Sequence, residues 1–98
     1  MFPSLSQKEY VIMDLMRVGR EVYGLELVND GKGKLKRGTI YVTLNRMIEK
    51  GLISSRRTIP KDELEAPRRL YKITGHGQRV LEATERAMAS IYSEAKGV

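Results

Sequence analysis

The spacing of hydrophobic positions changes several times along this chain, and each change marks an element. Ser6 followed by Glu9 reads as a capping box, with Leu5 and Tyr10 placed to staple across it. Val11, Ile12, Leu15, Met16 and Val18 then recur at helical spacing, which predicts a first helix over Gln7–Val18, ended by Gly19. Tyr23–Val28 reads as a short second helix, stopped by Asn29, Asp30 and Gly31. Thr39 is placed to cap a third helix in which Ile40, Leu44, Met47 and Ile48 share one face, and Gly51 follows Lys50 as its C-terminal glycine. The opposite face carries Val42, Thr43, Arg46 and Lys50, with Thr39 and Asn45 at its margin.

Leu52–Thr58 and Arg69–Ile73 have the β-compatible composition of strands, and Ile59–Arg68 between them, with two prolines and Asp62-Glu63, reads as a hairpin loop longer than a tight turn. A final helix is predicted from Gly75 or Gln78 to Lys96, opened by Thr74 and Gly75. Val80, Leu81, Thr84, Ala87, Met88, Ile91, Tyr92 and Ala95 form one long stripe along it, and a stripe of that length needs cover. Helix, short helix, helix, hairpin and long helix in that order make a mainly α fold with a small β-hairpin. This is the layout of a winged helix-turn-helix over residues 1–74, followed by a C-terminal dimerisation helix over 75–98, the two forming one structural unit.

The chain has 98 residues, 41% hydrophobic and 31% charged, which fits one globular domain with a thin stability margin. So small a domain without disulfides gains core by pairing, which favours a homodimer. There is no cysteine, which excludes a disulfide framework and Cys-based zinc sites and suits the cytoplasm. No apolar run approaches the roughly 20 residues of a membrane span, and the start MFPSLSQKEY lacks the basic and apolar regions of a secretory signal.

Charge changes the picture more. The net charge is +6, and residues 31–58 alone hold eight basic residues and one acid, so the excess lies in one stretch. That stretch covers the third helix, the connector GKGKLKRG before it and the first wing strand, which is the footprint of a phosphate-backbone binder. The glycines and cations of the connector predict a flexible, positive loop.

Thr39, Tyr41, Thr43, Asn45 and Arg46 are then candidates to face double-stranded DNA from the third helix. Arg46 suits guanine and Asn45 adenine, and both suit phosphate equally well. Lys36 and Arg37 precede the helix and are expected on phosphates. Arg56, Arg57, Lys61 and Arg68 belong to the wing, with Arg69, and alternation along the strands lets only some of them face DNA. Asp62, Glu63 and Glu65 repel phosphate, so the tip itself is not expected deep in a groove. Gly24 is read as a close-packing glycine, Tyr23 and Tyr71 as core or core-edge residues, and Met13, Met16, Met47 and Met88 as core filler. His76, the single histidine, makes a poor metal site alone. No nucleophile motif, phosphate loop or metal-ligand set is present, so neither an enzyme nor a cofactor is expected.

Tyr23-Gly24-Leu25-Glu26-Leu27-Val28, Gly38-Thr39-Ile40-Tyr41, Leu44–Ile53 and Arg69–Gly77, in that order, closely resemble the PadR-like transcriptional regulators over about Val22–Leu81. The resemblance implies a winged-helix repressor that dimerises through its last helix, alone or with the first, and in several members releases DNA on binding a small-molecule effector. The sequence departs from the family in Val42, where proline often follows the tyrosine, and in the basic connector. It also ends after one C-terminal helix, as the short subfamily does. Some short members bind planar drugs between tryptophans at the dimer interface, and this chain has no tryptophan. Two other readings stay open at this point: a winged-helix module that docks on an acidic protein, and a ligand-gated sensor with weak DNA binding.

Overall fold

A computed structural model of the chain describes residues 5–95, with side chains through Ile91. The elements are α1 (Gln7–Met16), β1 (Val22–Tyr23), α2 (Gly24–Asp30), α3 (Ile40–Glu49), β2 (Ile53–Arg57), β3 (Arg69–Ile73) and α4 (Gly75–Ala95). The fold is a winged helix.

The capping box forms as the sequence predicts. Ser6 Oγ accepts from the Glu9 amide at 3.1 Å and Glu9 Oε1 from the Ser6 amide at 2.8 Å. α1 stops two residues early, however. The Gly19 amide turns back to the Met16 carbonyl at 2.9 Å with φ at +84°, and Val18 is left 75% exposed. Periodicity alone counts Val18 into the apolar face because it cannot see a chain that has already turned.

The core joins Ile12, Met13 and Met16 of α1 to Leu27, Ile40, Leu44, Met47, Ile53, Tyr71 and Leu81. Three of the four methionines expected in it are fully buried, and Met88 is instead 49% exposed. The connector is not the loose loop its composition suggests. Leu35 is 4% exposed in the core, and the Lys34 and Ile40 amides close turns onto the Gly31 and Lys36 carbonyls at 3.0 Å each. An apolar anchor and two turns hold the cations in place.

The hairpin expected from the sequence gains a third strand. β1 pairs antiparallel with β3 (Val22 opposite Tyr71), giving the order β1-β3-β2. β1 hands directly to α2, so the short strand ties the second helix to the wing; two residues are too few to carry a period-2 signal. β2 spans Ile53–Arg57, one residue shorter at each end than expected, and β3 falls where the sequence places it.

α4 is seated on the sheet by close approach. Thr74 Oγ1 accepts from the Gly77 amide at 2.9 Å and donates to the Gly51 carbonyl at 2.7 Å. A Cβ on Gly77 would collide with the Leu52 carbonyl oxygen and stand 2.9 Å from Ile73, so only glycine lets the helix come this near. Further along, Tyr10 and Arg17 of α1 both reach Glu85. The Tyr10 hydroxyl donates at 2.8 Å and Arg17 Nη1 at 3.1 Å. The Arg17 guanidinium first, and then the Tyr10 hydroxyl, hold the Glu85 carboxyl below the usual carboxylate range.

The stripe on α4 is therefore two surfaces. Leu81 (1% exposed) and Thr84 (7%), both expected on a partner, belong to the chain's own interior, where the Thr84 hydroxyl bonds back to the Val80 carbonyl at 2.8 Å. Val80 packs partly against the same core and Ala87 is half-buried, whereas Met88 and Ile91 stay open at 49% and 59%. The Tyr92 and Ala95 side chains and the expected helix end at Lys96 fall outside the described residues. No described helix is long and apolar enough to cross a membrane.

Candidate nucleic-acid interface

α3 is amphipathic in the sense predicted: Ile40, Leu44 and Met47 are buried, and Tyr41, Val42, Asn45 and Arg46 form an exposed ridge. Thr39 stands at the N-cap position, but its side chain caps nothing. Its carbonyl instead accepts from both the amide and the hydroxyl of Thr43, each at 3.2 Å. Thr43 is half-buried and tied to the Thr39 carbonyl, so among the described residues the ridge's polar groups without an internal hydrogen bond are Asn45, Arg46 and the Tyr41 hydroxyl. Tyr41 is fixed from behind: a Cβ on Gly24 would lie 2.7 Å from its ring, which explains the glycine that opens α2.

A cleft runs along each side of this ridge. On the wing side it is lined by Tyr41 and Asn45 of α3, by Tyr23 and Leu25, and by Arg68 and Arg69 of the wing. On the other side Val42, Thr43 and Arg46 face Leu5, Gln7 and Lys8 at the start of α1. Lys50 closes that second cleft and ties it together, its ammonium 2.9 and 3.1 Å from the carboxylate oxygens of the buried Glu9.

Register decides which wing arginines share the α3 side. Arg57 lies opposite Arg69, and Ser55 opposite the buried Tyr71, so Arg57 and Arg69 continue the face that begins in the core. Burial raises the Tyr71 hydroxyl above its ordinary pKa on that face. Arg56 takes the other face, where its guanidinium forks onto Glu21 at 2.6 and 2.8 Å and lowers that carboxyl. Alternation thus turns Arg56, expected at DNA from the sequence, away from the face that Arg57 and Arg69 share. Arg68 lies over the Tyr23 ring at 5.1 Å from its centre, a cation–π contact that holds the guanidinium at the cleft.

The acidic residues of the tip also find their reason. Asp62 Oδ1 accepts from the Leu64 and Glu65 amides at 2.8 and 3.1 Å, and Glu65 Oε2 accepts from the Lys61 amide at 2.6 Å. These carboxylates build the turn. The Lys61 side chain is exposed at the tip, and Lys36 and Arg37 are exposed just ahead of α3. Among the described residues no three His, Asp or Glu side chains come together as metal ligands, and His76 is exposed at the start of α4.

The Transcriptional regulator PadR-like family model matches residues 12–83, from within α1 to the third turn of α4. The chain belongs to the PadR-like family. Members of the PadR-like family are transcription regulators, not enzymes. The fold is shared with a PadR family transcription regulator from Clostridium difficile R20291 (TM-score 0.79, 24% identity, 94% of this chain and 97% of that one). A PadR-like regulator from Bacillus cereus is 27% identical with a TM-score of 0.66, over 90% of this chain and 86% of that one. The Bacillus subtilis PadR solved in complex with operator DNA is 26% identical (TM-score 0.66), matching 76% of this chain and 44% of its own. No curated protein matches the sequence.

Sequence reasoning missed Arg69 as a cleft residue, and Gln7 and Lys8 altogether. For Arg69 the signal was present, since counting alternation back from the buried Tyr71 gives its face. For Lys8 there was none, because it joins the site only when α1 packs across α3.

Proposed function

We propose that this PadR-like protein is a cytoplasmic, sequence-specific DNA-binding repressor that grips operator DNA as a homodimer, with α3 in the major groove. The observation that carries the reading is the α3 ridge standing between two clefts with cations on both sides. A major groove about 12 Å wide admits one helix, and its two phosphate strands then run along that helix's flanks. Arg57, Arg68 and Arg69 on one flank and Lys8 on the other meet those strands, with Lys36 and Arg37 on the backbone at the head of α3 and Lys61 beyond the wing. Arg57 and Arg69 oppose each other directly, an arrangement that repels unless an anion lies between or beside them. Asn45 and Arg46, in the second turn of α3, supply donors for base edges. The Bacillus subtilis relative held on operator DNA supports the same reading.

The homodimer is supported by the open end of the α4 stripe, where Ala87, Met88 and Ile91 lie beyond the part fastened to the fold. The test begins with selection of bound duplexes from a random pool. The parent and Arg46→Ala are then titrated on the selected duplex and on an unrelated one over a range of salt. Loss of about 1–3 kcal/mol on the selected duplex alone is expected. Equal loss on both assigns Arg46 to phosphate. No enrichment and no salt dependence would defeat the DNA reading and favour an acidic protein partner.

A further inference from the structure

Val42 is the one aliphatic side chain on the exposed ridge of α3, 55% exposed. Residues three and four apart on a helix are surface neighbours, so Asn45 and Arg46 flank Val42 one turn on. Its helix buries the opposite face, through Ile40, Leu44 and Met47, and among the described residues Val42 only borders the open cleft towards Leu5, Gln7 and Lys8. The polar groups beside it are not a random solvated surface either, since they are the same donors that face base edges in the reading above.

We propose that Val42 reads the C5-methyl group of a thymine, one in each operator half-site. The inference rests on α3 lying in the major groove and adds a base preference to it. The other groups that protrude from a base pair there are hydrogen-bond donors or acceptors, cytosine adding only a flat C5–H; the thymine methyl is the apolar group that stands out into the groove. At the same place on its ring cytosine carries only a C5–H, and its amino group stands where thymine has the O4 acceptor, so a valine seated on the methyl loses that contact on cytosine and thymine is favoured. The spacing is also fixed. Val42 and Arg46 are four residues apart, about 6 Å along the helix axis, or roughly two base-pair steps. The thymine therefore lies within about two base pairs of the base held by Arg46.

Uracil differs from thymine only by that methyl, which makes the test clean. In the selected duplex each symmetric pair of thymines is replaced by uracil, and each pair of purines by its 7-deaza analogue. Affinity is then measured for the parent and for Val42→Ala. Loss of one buried methyl contact weakens binding about fourfold per half-site, so about 15-fold for the symmetric pair. One thymine pair is expected to behave this way with the parent and to become silent with Val42→Ala, while the 7-deaza purines weaken both proteins alike. An exposed valine on a helix is replaced by a better helix former, so Val42→Ala keeps its fold, and an unchanged melting temperature verifies this. If the purine analogues weaken binding and no uracil does, α3 reads the groove and the thymine assignment is wrong. A uracil response that survives in Val42→Ala also overturns it. If neither kind of analogue matters, the placement of α3 falls and this inference falls with it.

Discussion

Leu81 and the pair Met88 and Ile91 lie on one sequence stripe of α4 and are expected to behave in opposite ways when changed. Leu81 is 1% exposed within its own chain, so Leu81→Ala leaves a hole between α4 and the winged-helix core. Such truncations cost about 2–5 kcal/mol. A central value of about 3 kcal/mol is a large part of the roughly 5–15 kcal/mol that holds a small domain together. At about 4–8 °C per kcal/mol, the melting temperature falls by roughly 12–24 °C. Met88 and Ile91, at 49% and 59% exposed, gain little from their own chain, and converting both to Asp costs the isolated fold about 1 kcal/mol, at about 0.5 kcal/mol for each surface change. In the proposed dimer the same double change puts four carboxylates into one seam, each unpaired charge costing several kcal/mol, on the order of the whole association energy. Sedimentation velocity and thermal unfolding at several protein concentrations separate the two effects, because a dimer's melting temperature rises with concentration and a monomer's does not. Leu81→Ala should melt early and, while folded, still sediment as a dimer. Met88→Asp with Ile91→Asp should sediment as a folded monomer. An unchanged sedimentation coefficient in the Asp variant, or an unchanged melting temperature in Leu81→Ala, would refute the division of α4 into two surfaces.

Other outcomes follow from the same geometry. Glu85→Gln should destabilise the fold by about 1 kcal/mol at neutral pH, a figure kept small because both partners are about one-third or more exposed. The Glu85 carboxyl is lowered in the folded state, so its contribution is complete above the unfolded carboxylate range and is lost as pH falls through the folded value. Denaturant titrations of parent and variant should accordingly converge in acid; a constant gap would remove the ion pair as its source. Gly77→Ala should lower the melting temperature as strongly as Leu81→Ala despite adding a single methyl, because the new Cβ meets the backbone of Leu52, and a neutral result would mean that α4 can slide away from the sheet. Changing Lys36 and Arg37 together to Ala should weaken all duplexes about equally and flatten the salt slope by roughly 3–4 per dimer, at about 0.9 per phosphate contact. An unchanged slope would show these cations facing solvent.

The features legible in the sequence were those written in local chemistry. Ser6 and Glu9 carry a complete capping signal within four residues, and α3 alternates its faces so regularly that its buried side could be named in advance. What escaped was whatever depended on a distant partner. β1 exists because β3 offers Val22 and Tyr23 a neighbour, and nothing in two residues announces that. Leu81 and Met88 belong to the same helical period and part company only because α1 and the sheet end between them. The wing arginines carried their answer in the alternation of β2 and β3, which became readable once Tyr71 was known to point inward.

The fastening of α4 has a consequence for the operator itself. Gly77 against Leu52, Leu81 in the core and Glu85 in the grip of Arg17 lock the first half of the helix to the body that carries α3. Met88 and Ile91 follow without a break in the helix. In the proposed dimer the stretch from Glu85 to Met88 is then a shaft between two reading heads, and its residue count sets their separation and angular phase. One inserted residue lengthens the shaft by about 1.5 Å but turns the seam by about 100°, pointing Met88 and Ile91 away from their counterparts. Four inserted residues bring the seam back to nearly its original face and add about 6 Å on each side of the two-fold axis. Half-sites that must lie about 34–36 Å apart for both heads to meet the same face of the duplex would then no longer match. Which bases are chosen is thus a property of α3, while the interval between them is set by the helical phase of α4.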